Sequence, residues 1–257
     1  LTLQNSKDGR ISLELFDYVK SQRVKRIDFG ADENCNQILQ NNEVISALAF
    51  DPKGVFLIAG TSHGRMLAFD SLTLPLQDKF LLSTVTDRPQ ELKKVEQIVF
   101  DKNGNDYFAM SDASCALTLF KIVFSNGSAN AGGEDQTPTN NSKTPVFQYL
   151  GRSREWTDKI CSIIFHQNFL MAIGTDRYMS EYDLNQTEYK GEQSMLHPIR
   201  EPTRLEQTAK PIAGVLHPEI ASESNEKFIL TVTDQHKLRL FKTKTRLARR
   251  TVSAPGC

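Results

Sequence analysis

The sequence predicts an all-β chain organised as a β-propeller, and three observations carry that expectation. The first is the stretch Val44–Asp70, VISALAFDPKGVFLIAGTSHGRMLAFD, which reads as three short strands. Asp51-Pro52-Lys53-Gly54 and Ser62-His63-Gly64 separate them as tight turns. Asp can bond its own backbone there, Pro pre-sets φ, and Gly takes a positive φ. The second observation is that Ile45–Phe50 and Val55–Ala59 carry few strong polars, so both faces of the meander need cover. A similar sheet on each side meets that need, which is what radial repetition supplies. The third is an internal repeat: Val95–Phe100, Asp101–Gly104 and Tyr107–Met110 return the pattern of Val44–Phe50, Asp51–Gly54 and Phe56–Ala59.

Taken in order, Leu1–Gln4 reads as the end of a strand and Ser6–Gly9 as a turn, with Asp8-Gly9 a strong hairpin signal. Ile11–Asp17 alternates, and Phe16-Asp17 stands where Phe69-Asp70 stands later. Val24–Phe29 completes a truncated unit, and Cys35–Asn42 is a polar connection. After the central unit, Phe80–Val85 reads as its outer strand and Arg88–Lys94 as a solvated loop or one helical turn. Ala116–Phe120 is the third strand of the second full unit, with Lys121 in the place of Asp70. Ser125–Thr144 contains no large apolar residue and is expected to be a flexible insertion, since it cannot offset its own ordering entropy. Val146–Leu150 resumes as an outer strand.

Ile160–Phe165, Phe169–Ile173 and Tyr178–Asp183 make the third full unit, followed by the long polar run Asn185–Thr208. Ile212–His217, Phe228–Val232, Lys237–Phe241 and Leu247–Ser253 make the fourth. The organisation expected is a partial blade and connection over residues 1–42, then propeller blades over 43–257 with the insertion at 125–144. That is four full blades plus partial blades of a larger ring, seven-bladed or one of a tandem pair. The start at Leu1, already in a strand pattern, reads as a piece of a longer chain.

Composition narrows the function. Lys+Arg and Asp+Glu are both 31 in 257 residues, so no excess positive field exists to drive general nucleic-acid binding. No apolar run approaches the ~20 residues a spanning helix needs. Cys35, Cys115, Cys161 and Cys257 are scattered without pair spacing and read as reduced thiols. No phosphate-binding, zinc-protease or C-x-x-C motif occurs. Neither a catalytic residue, a cofactor nor a metal site is expected. His63 and His236 lie in equivalent turns and Asp112, Asp176 and Asp234 recur in second turns, where backbone capping is the ordinary role.

The aromatics closing the third strands are Phe16, Phe69, Phe120, Tyr182 and Phe241. Phe16-Asp17, Phe69-Asp70 and Tyr182-Asp183 are degenerate Trp-Asp pairs, so the propeller is WD40-like. No Gly-His precedes a first strand, and the Asp–His–Ser–Trp relay of strong repeats is not expected. Trp156, in Gly151-Arg152-Ser153-Arg154-Glu155-Trp156, has two readings: an exposed interface anchor, or a ring partly buried under a blade edge. The basic final strands, with Arg246, Arg249 and Arg250 among their charges, read as a solvated edge or as a surface for an acidic partner such as tubulin, with nucleic acid a distant third.

In sequence order, several runs point to a family. They are Ile98-Val99-Phe100, then Ala116 through Gly127, then Phe147–Arg152 and Lys159–Phe165. Gly174–Leu184, with its Asp-Arg-Tyr-Met-Ser-Glu-Tyr-Asp-Leu core, follows, and Lys237–Lys242 and Arg249–Thr251 close the series. Together they resemble the WD-repeat cilia- and flagella-associated protein of the calmodulin- and spoke-associated complex. The resemblance covers roughly residues 44–254. It implies a tandem-propeller scaffold, without catalytic residues, at the base of the third radial spoke of motile axonemes. The implied partners are other subunits of that complex, radial-spoke proteins and the doublet microtubule. The implied location is the cytoskeleton of the cilium or flagellum, with no membrane and no nucleic acid. A WD-repeat adaptor of intraflagellar transport or a vesicle coat is the alternative.

Overall fold

The computed structural model describes residues 2–5, 11–29, 39–40, 42–70, 81–84, 93–125, 144–153, 156–186, 195–216, 228–242 and 248–253. Among them there is no α-helix. The strands form five sheets, each a meander of sequential neighbours. The first sheet has three strands: β1 (Thr2–Asn5), β2 (Ile11–Asp17) and β3 (Gln22–Phe29). The second holds β4 (Ile45–Phe50), β5 (Phe56–Thr61), β6 (Met66–Asp70) and β7 (Leu81–Thr84). The third holds β8 (Val95–Phe100), β9 (Tyr107–Asp112), β10 (Leu117–Ser125) and β11 (Thr144–Ser153). The fourth holds β12 (Ile160–His166), β13 (Phe169–Gly174), β14 (Tyr178–Asp183) and β15 (Thr203–Arg204). The fifth holds β16 (Pro211–Leu216), β17 (Phe228–Thr233), β18 (Lys237–Lys242) and β19 (Ala248–Ser253).

The repeat seen in the sequence is also a repeat of hydrogen bonds. At the turn between second and third strands, Gly64, Cys115, Arg177 and His236 each adopt a positive φ. Each donates its N–H to the carbonyl three residues back, at 3.1, 3.0, 3.1 and 3.1 Å. The geometry favours glycine and costs an L-residue roughly 1–2 kcal/mol, yet only the second sheet has glycine there. His63 therefore sits one position before the place His236 occupies, so the two histidines share a turn but not a site. The first turns of the second and third sheets match more closely. Asp51 and Asp101 are buried and each accepts the N–H two residues on, at 3.0 and 2.8 Å, while Gly54 and Gly104 take positive φ. Irregularities in register recur too. They fall at Ile45/Ala47, Ile160/Ser162 and Pro211/Ala213 in first strands, and at Leu15/Phe16, Ala68/Phe69 and Leu240/Phe241 in third strands. The last series identifies β2 as a third strand, as the Phe16-Asp17 match predicts.

Packing divides the chain into two compact units, Leu1–Ile98 with Ile122–Gln148, and Val99–Lys121 with Tyr149–Cys257. In the first unit, β5 is buried along its whole length. Leu57 and Ala59 on one of its faces join Leu13, Ile45, Leu67 and Phe69 in a single cluster. On the other face Phe56 meets the Phe147 ring edge-on at 5.5 Å. Gly60 lies so close to Val95 that an added Cβ would stand 2.5 Å from its Cγ1.

In the second unit, β13 shows the same two-sided demand. Leu170 and Ala172 enter a cluster with Ala109, Leu117, Leu119 and Tyr182. Met171 and Ile173, one position out of phase, enter another with Ile229, Phe241 and Met179. The strand period of two thus delivers alternate side chains to neighbouring sheets, at ~1.5–3 kcal/mol of stabilisation per large side chain fully buried. Phe100, Phe108, Phe120 and Tyr149 run across β8 to β11, one ring per strand, with centroids 5.3, 4.9 and 5.9 Å apart.

Four of the five aromatics that close third strands are buried, as their packing role requires; Phe16 is 42% exposed. Its sheet has three strands among the described residues, without a counterpart of β4, β8, β12 or β16. Residues 126–143 of the predicted insertion, and most of the Arg88–Lys94 loop, lie outside the described residues. Cys115 and Cys161 are not joined in a disulfide; Cys35 and Cys257 lie outside the described residues. No helix among the described residues is long and apolar enough to cross a membrane.

Candidate functional site

The fourth sheet differs from the second and fifth in its outer edge. Where β7 and β19 pair along most of the preceding strand, β15 is two residues long and covers only Tyr178 and Met179. The connection that leads to it stays close to β14. Ile199 donates its N–H to the Glu181 carbonyl at 2.8 Å, and Leu205 donates to Arg177 at 2.8 Å. Glu201 and Pro202 are thereby held beside the start of β14, where they close one wall of an open cleft of about 310 Å³. Trp156, Thr157, Asp176, Tyr178 and Ser180 line the rest.

Each lining residue has a local reason for its place. Asp176 sits in the turn before β14 and accepts the Tyr178 N–H at 3.1 Å through Oδ1. Through Oδ2 it accepts the Thr157 N–H at 3.1 Å and the Thr157 hydroxyl at 3.3 Å, which staples residues 156–157 to the turn. Gly174 makes room for both neighbours: a Cβ there would lie 2.4 Å from Asp176 Oδ1 and 2.7 Å from Trp156 Cε3. Tyr178 and Ser180 share one face of β14 by strand alternation. Tyr182, two residues further, donates its buried hydroxyl to Ser153 Oγ at 3.0 Å.

Trp156 is 6% exposed and belongs to the hydrophobic cluster of this unit. The expectation of an exposed anchor is therefore corrected. The polar residues around Trp156 in sequence hide a glycine seat contributed from β13. Its benzo edge rests on Gly174, and Nε1, on the opposite edge, has no acceptor among the described residues. The buried Ser180 Oγ likewise has no partner there. Such atoms cost about 1–3 kcal/mol each when desolvated without a bond. The cleft is lined by the Trp156 indole, the Tyr178 ring and the carboxylates of Asp176 and Glu201, while Trp156 Nε1 and Ser180 Oγ are themselves closed to solvent. Among the described residues no histidine, cysteine or lysine lines it, and Ser180 Oγ has no partner.

The other predicted interface residues lie elsewhere. Arg249 and Arg250 are in β19, with Arg250 opposite Leu240 in register; Arg246 lies outside the described residues. The predicted turn acids are found capping turns or tying turns to strands. Asp112 accepts the Ser114 N–H at 2.9 Å, and Asp234 accepts the Lys210 N–H at 2.8 Å. No group of three or more metal-ligating side chains occurs among the described residues. Cys161 donates to the Ile173 carbonyl, and burial pushes its thiol up to about 11, which suppresses the thiolate.

Sequence reasoning missed three buried ion pairs. Arg152 Nη2 reaches Asp112 Oδ2 at 2.6 Å and Ser114 Oγ at 2.8 Å, while Nη1 donates to Thr118 Oγ1 at 3.1 Å. This ties the second turn of the third sheet to β9, β10 and β11. Glu43 pairs with Arg65, and Glu206 with Arg239. Their only sequence signal is a charged residue in or beside a strand, which most strands share.

No family model matches the sequence. The chain is similar to cilia- and flagella-associated protein 251 of Mus musculus, at 23% identity over 222 residues. That alignment covers 82% of this chain and 14% of the relative. To the protein of the same name from Pongo abelii it is 24% identical over 231 residues, 86% of this chain and 17% of the relative. The chain therefore spans about one sixth of the length of these curated relatives.

Proposed function

We propose that this chain is a non-catalytic scaffold of motile cilia or flagella, folded as part of a WD40-like β-propeller. The observation that carries the ciliary assignment is the similarity to the two cilia- and flagella-associated proteins over most of this chain. The geometry supports the scaffold half. Four-stranded meanders recur with one turn frame, and β13 is covered on both faces by neighbouring sheets. Blades arranged around an axis satisfy that two-sided demand and hold many turns rigidly for partners to read. The relatives' names describe association with cilia and flagella and name no reaction.

On this reading the chain helps anchor the third radial spoke to the doublet microtubule. Its partners are the other subunits of the calmodulin- and spoke-associated complex, radial-spoke proteins and the doublet itself. Arg249 and Arg250 on β19, with Arg246, are the surface assigned to an acidic partner. A fluorescently tagged copy is expected along motile axonemes and should remain after detergent extraction. A signal confined to the cell body, or moving with transport trains, would replace this reading with an adaptor of intraflagellar transport or of a vesicle coat. The triple change of Arg246, Arg249 and Arg250 to Glu is expected to reduce retention; unchanged retention would return β19 to a solvated edge.

A further inference from the structure

We infer that the face of the fifth sheet carrying Val215, Leu230, Val232, Leu238 and Leu240 is an interface for a further antiparallel sheet of the same repeat, carried on the same polypeptide. The register of the sheet puts these positions on one face. Leu230 stands opposite Val215 and Leu240, and Val232 stands opposite Leu238, which in turn is opposite Val252. Val215, Leu238 and Val252 are 56%, 39% and 47% exposed, while Leu230, Val232 and Leu240 are half-buried. Charge enters this face at its margin: Lys242 lies at the end of β18 and Arg250 in the outermost strand. About five residues of ~3.3 Å rise on four strands ~4.8 Å apart make roughly 300 Å², an apolar patch of the size that marks an interaction site.

The equivalent faces of the third and fourth sheets identify the occupant. The shared turn frame makes Leu117, Met179 and Leu238 equivalent, each two residues past the positive-φ residue of its turn. Their register partners Ser111, Ile173 and Val232 correspond in turn, as do the pairs Ala109–Leu119, Met171–Glu181 and Leu230–Leu240. In the third sheet Ala109, Leu117 and Leu119 are buried in one cluster with Leu170, Ala172 and Tyr182 of the fourth. In the fourth sheet Met171, Ile173 and Met179 are buried in one cluster with Ile229 and Phe241 of the fifth. Each time the cover is another sheet. It delivers apolar residues of its second strand and the aromatic that closes its third. Leu230, Val232, Leu238 and Leu240 repeat the side that receives such a sheet, so the occupant is expected to bring the same two features.

Area selects a tethered sheet over a separate chain. Roughly 300 Å² is under half of the ~800 Å² per partner that a stable complex between separate chains buries. A sheet joined to the same chain meets the face at an effective concentration on the order of 1 mM. The curated relatives, of which this chain spans about one sixth, have the length to supply one.

This inference rests on the scaffold half of the proposed function. Its test reads no location in the cell, so it and the ciliary assignment can fail separately. Leu238→Cys and Val215→Cys each place a thiol on the face at an exposed position. Maleimide labelling is followed in the purified 257-residue chain and in the full-length product, tagged at its own locus, purified in high salt and confirmed as a single polypeptide. Peptide mass mapping separates the new thiol from the native cysteines. Both variants are expected to label at least about tenfold more slowly in the full-length product, as for a site that is open less than about a tenth of the time. Lys102→Cys, in the exposed turn after β8, is expected to label equally in the two proteins. Equal rates for Leu238→Cys and Val215→Cys in the two proteins would overturn the inference. A slowing shared by Lys102→Cys would overturn it too, because the protection would not belong to this face. So would slow labelling already in the 257-residue chain: unchanged by dilution, it would mean that the chain covers its own face, and relieved by dilution, that a second copy does.

Discussion

Glu43 and Glu206 are both buried carboxylates paired with an arginine, one in each compact unit, and their titration is displaced in opposite directions. Burial by itself pushes the Glu43 carboxyl up. Hydrogen bonds from Arg65, Thr61 and the Gln40 N–H, together with the Arg65 charge, outweigh it and hold the group below its usual value. Arg65 Nε donates to Oε1 at 2.9 Å, Nη2 pairs with Oε2, and the Gln40 N–H reaches Oε2 at 2.7 Å. Among the described residues Glu206 has one ion pair, Oε2 to Arg239 Nη1 at 3.0 Å, and its Oε1 has no partner. There burial wins over the Arg239 and Lys237 charges, with Asp234 opposing them, and the carboxyl is pushed up. A buried ion pair stabilises only when the remaining lone pairs are also satisfied. The fork of donors, more than the presence of an arginine, separates the two sites.

The largest expected effect comes from removing the fork. Arg65→Met should leave Glu43 buried with its charge uncompensated and cost roughly 3 kcal/mol or more, read as a lowered urea midpoint. Arg239→Met should cost about 1 kcal/mol, because Glu206 loses a single contact where Glu43 loses a fork of donors. Equal losses would break the comparison.

The pH dependence sharpens it. The folded value of Glu43 is depressed, so its contribution is present above the unfolded value of ~4.3 and is lost as pH falls through the folded value. In Glu43→Gln the acid side of the stability profile should flatten. Glu206 has the opposite sign. Its folded value is raised, so its contribution is full below ~4.3 and is lost as pH rises through the folded value. Glu206→Gln should therefore gain on the parent protein between acid and neutral pH, followed by equilibrium unfolding at each pH. A parallel shift of both variants would refute the assigned signs.

The smallest effect tests a single donor. Thr61→Val removes one hydrogen bond to Glu43 and the acceptor for the Arg65 N–H at 3.1 Å. About 1 kcal/mol should be lost, with the Glu43 titration moving back towards its usual range by carboxyl NMR.

Much of the fold was legible before any coordinates. Asp51-Pro52-Lys53-Gly54 and Asp101-Lys102-Asn103-Gly104 identify the first turns because the carboxylate and the glycine act locally, through bonds two residues long. The equivalence of Phe16 with Phe69 was readable for the same reason: strand phase is a short-range pattern. What could not be read is where chain segments distant in sequence meet. Thr203-Arg204 carries no strand period, and becomes β15 only because β14 offers an edge. Trp156 stands among polar neighbours, and is buried only because Gly174 lacks a Cβ. The cleft follows from both, so Ser180 and Glu201 had no sequence signal as members of a site.

Local chemistry alone determined that this chain folds as repeated antiparallel meanders with apolar residues on both sides, since alternation, turn residues and glycine placement act within a few residues. Which carboxylates are held ionised, which indole is seated and where a cleft opens were decided by the tertiary structure. Those outcomes depend on how many donors, and how much space, distant segments bring to one point.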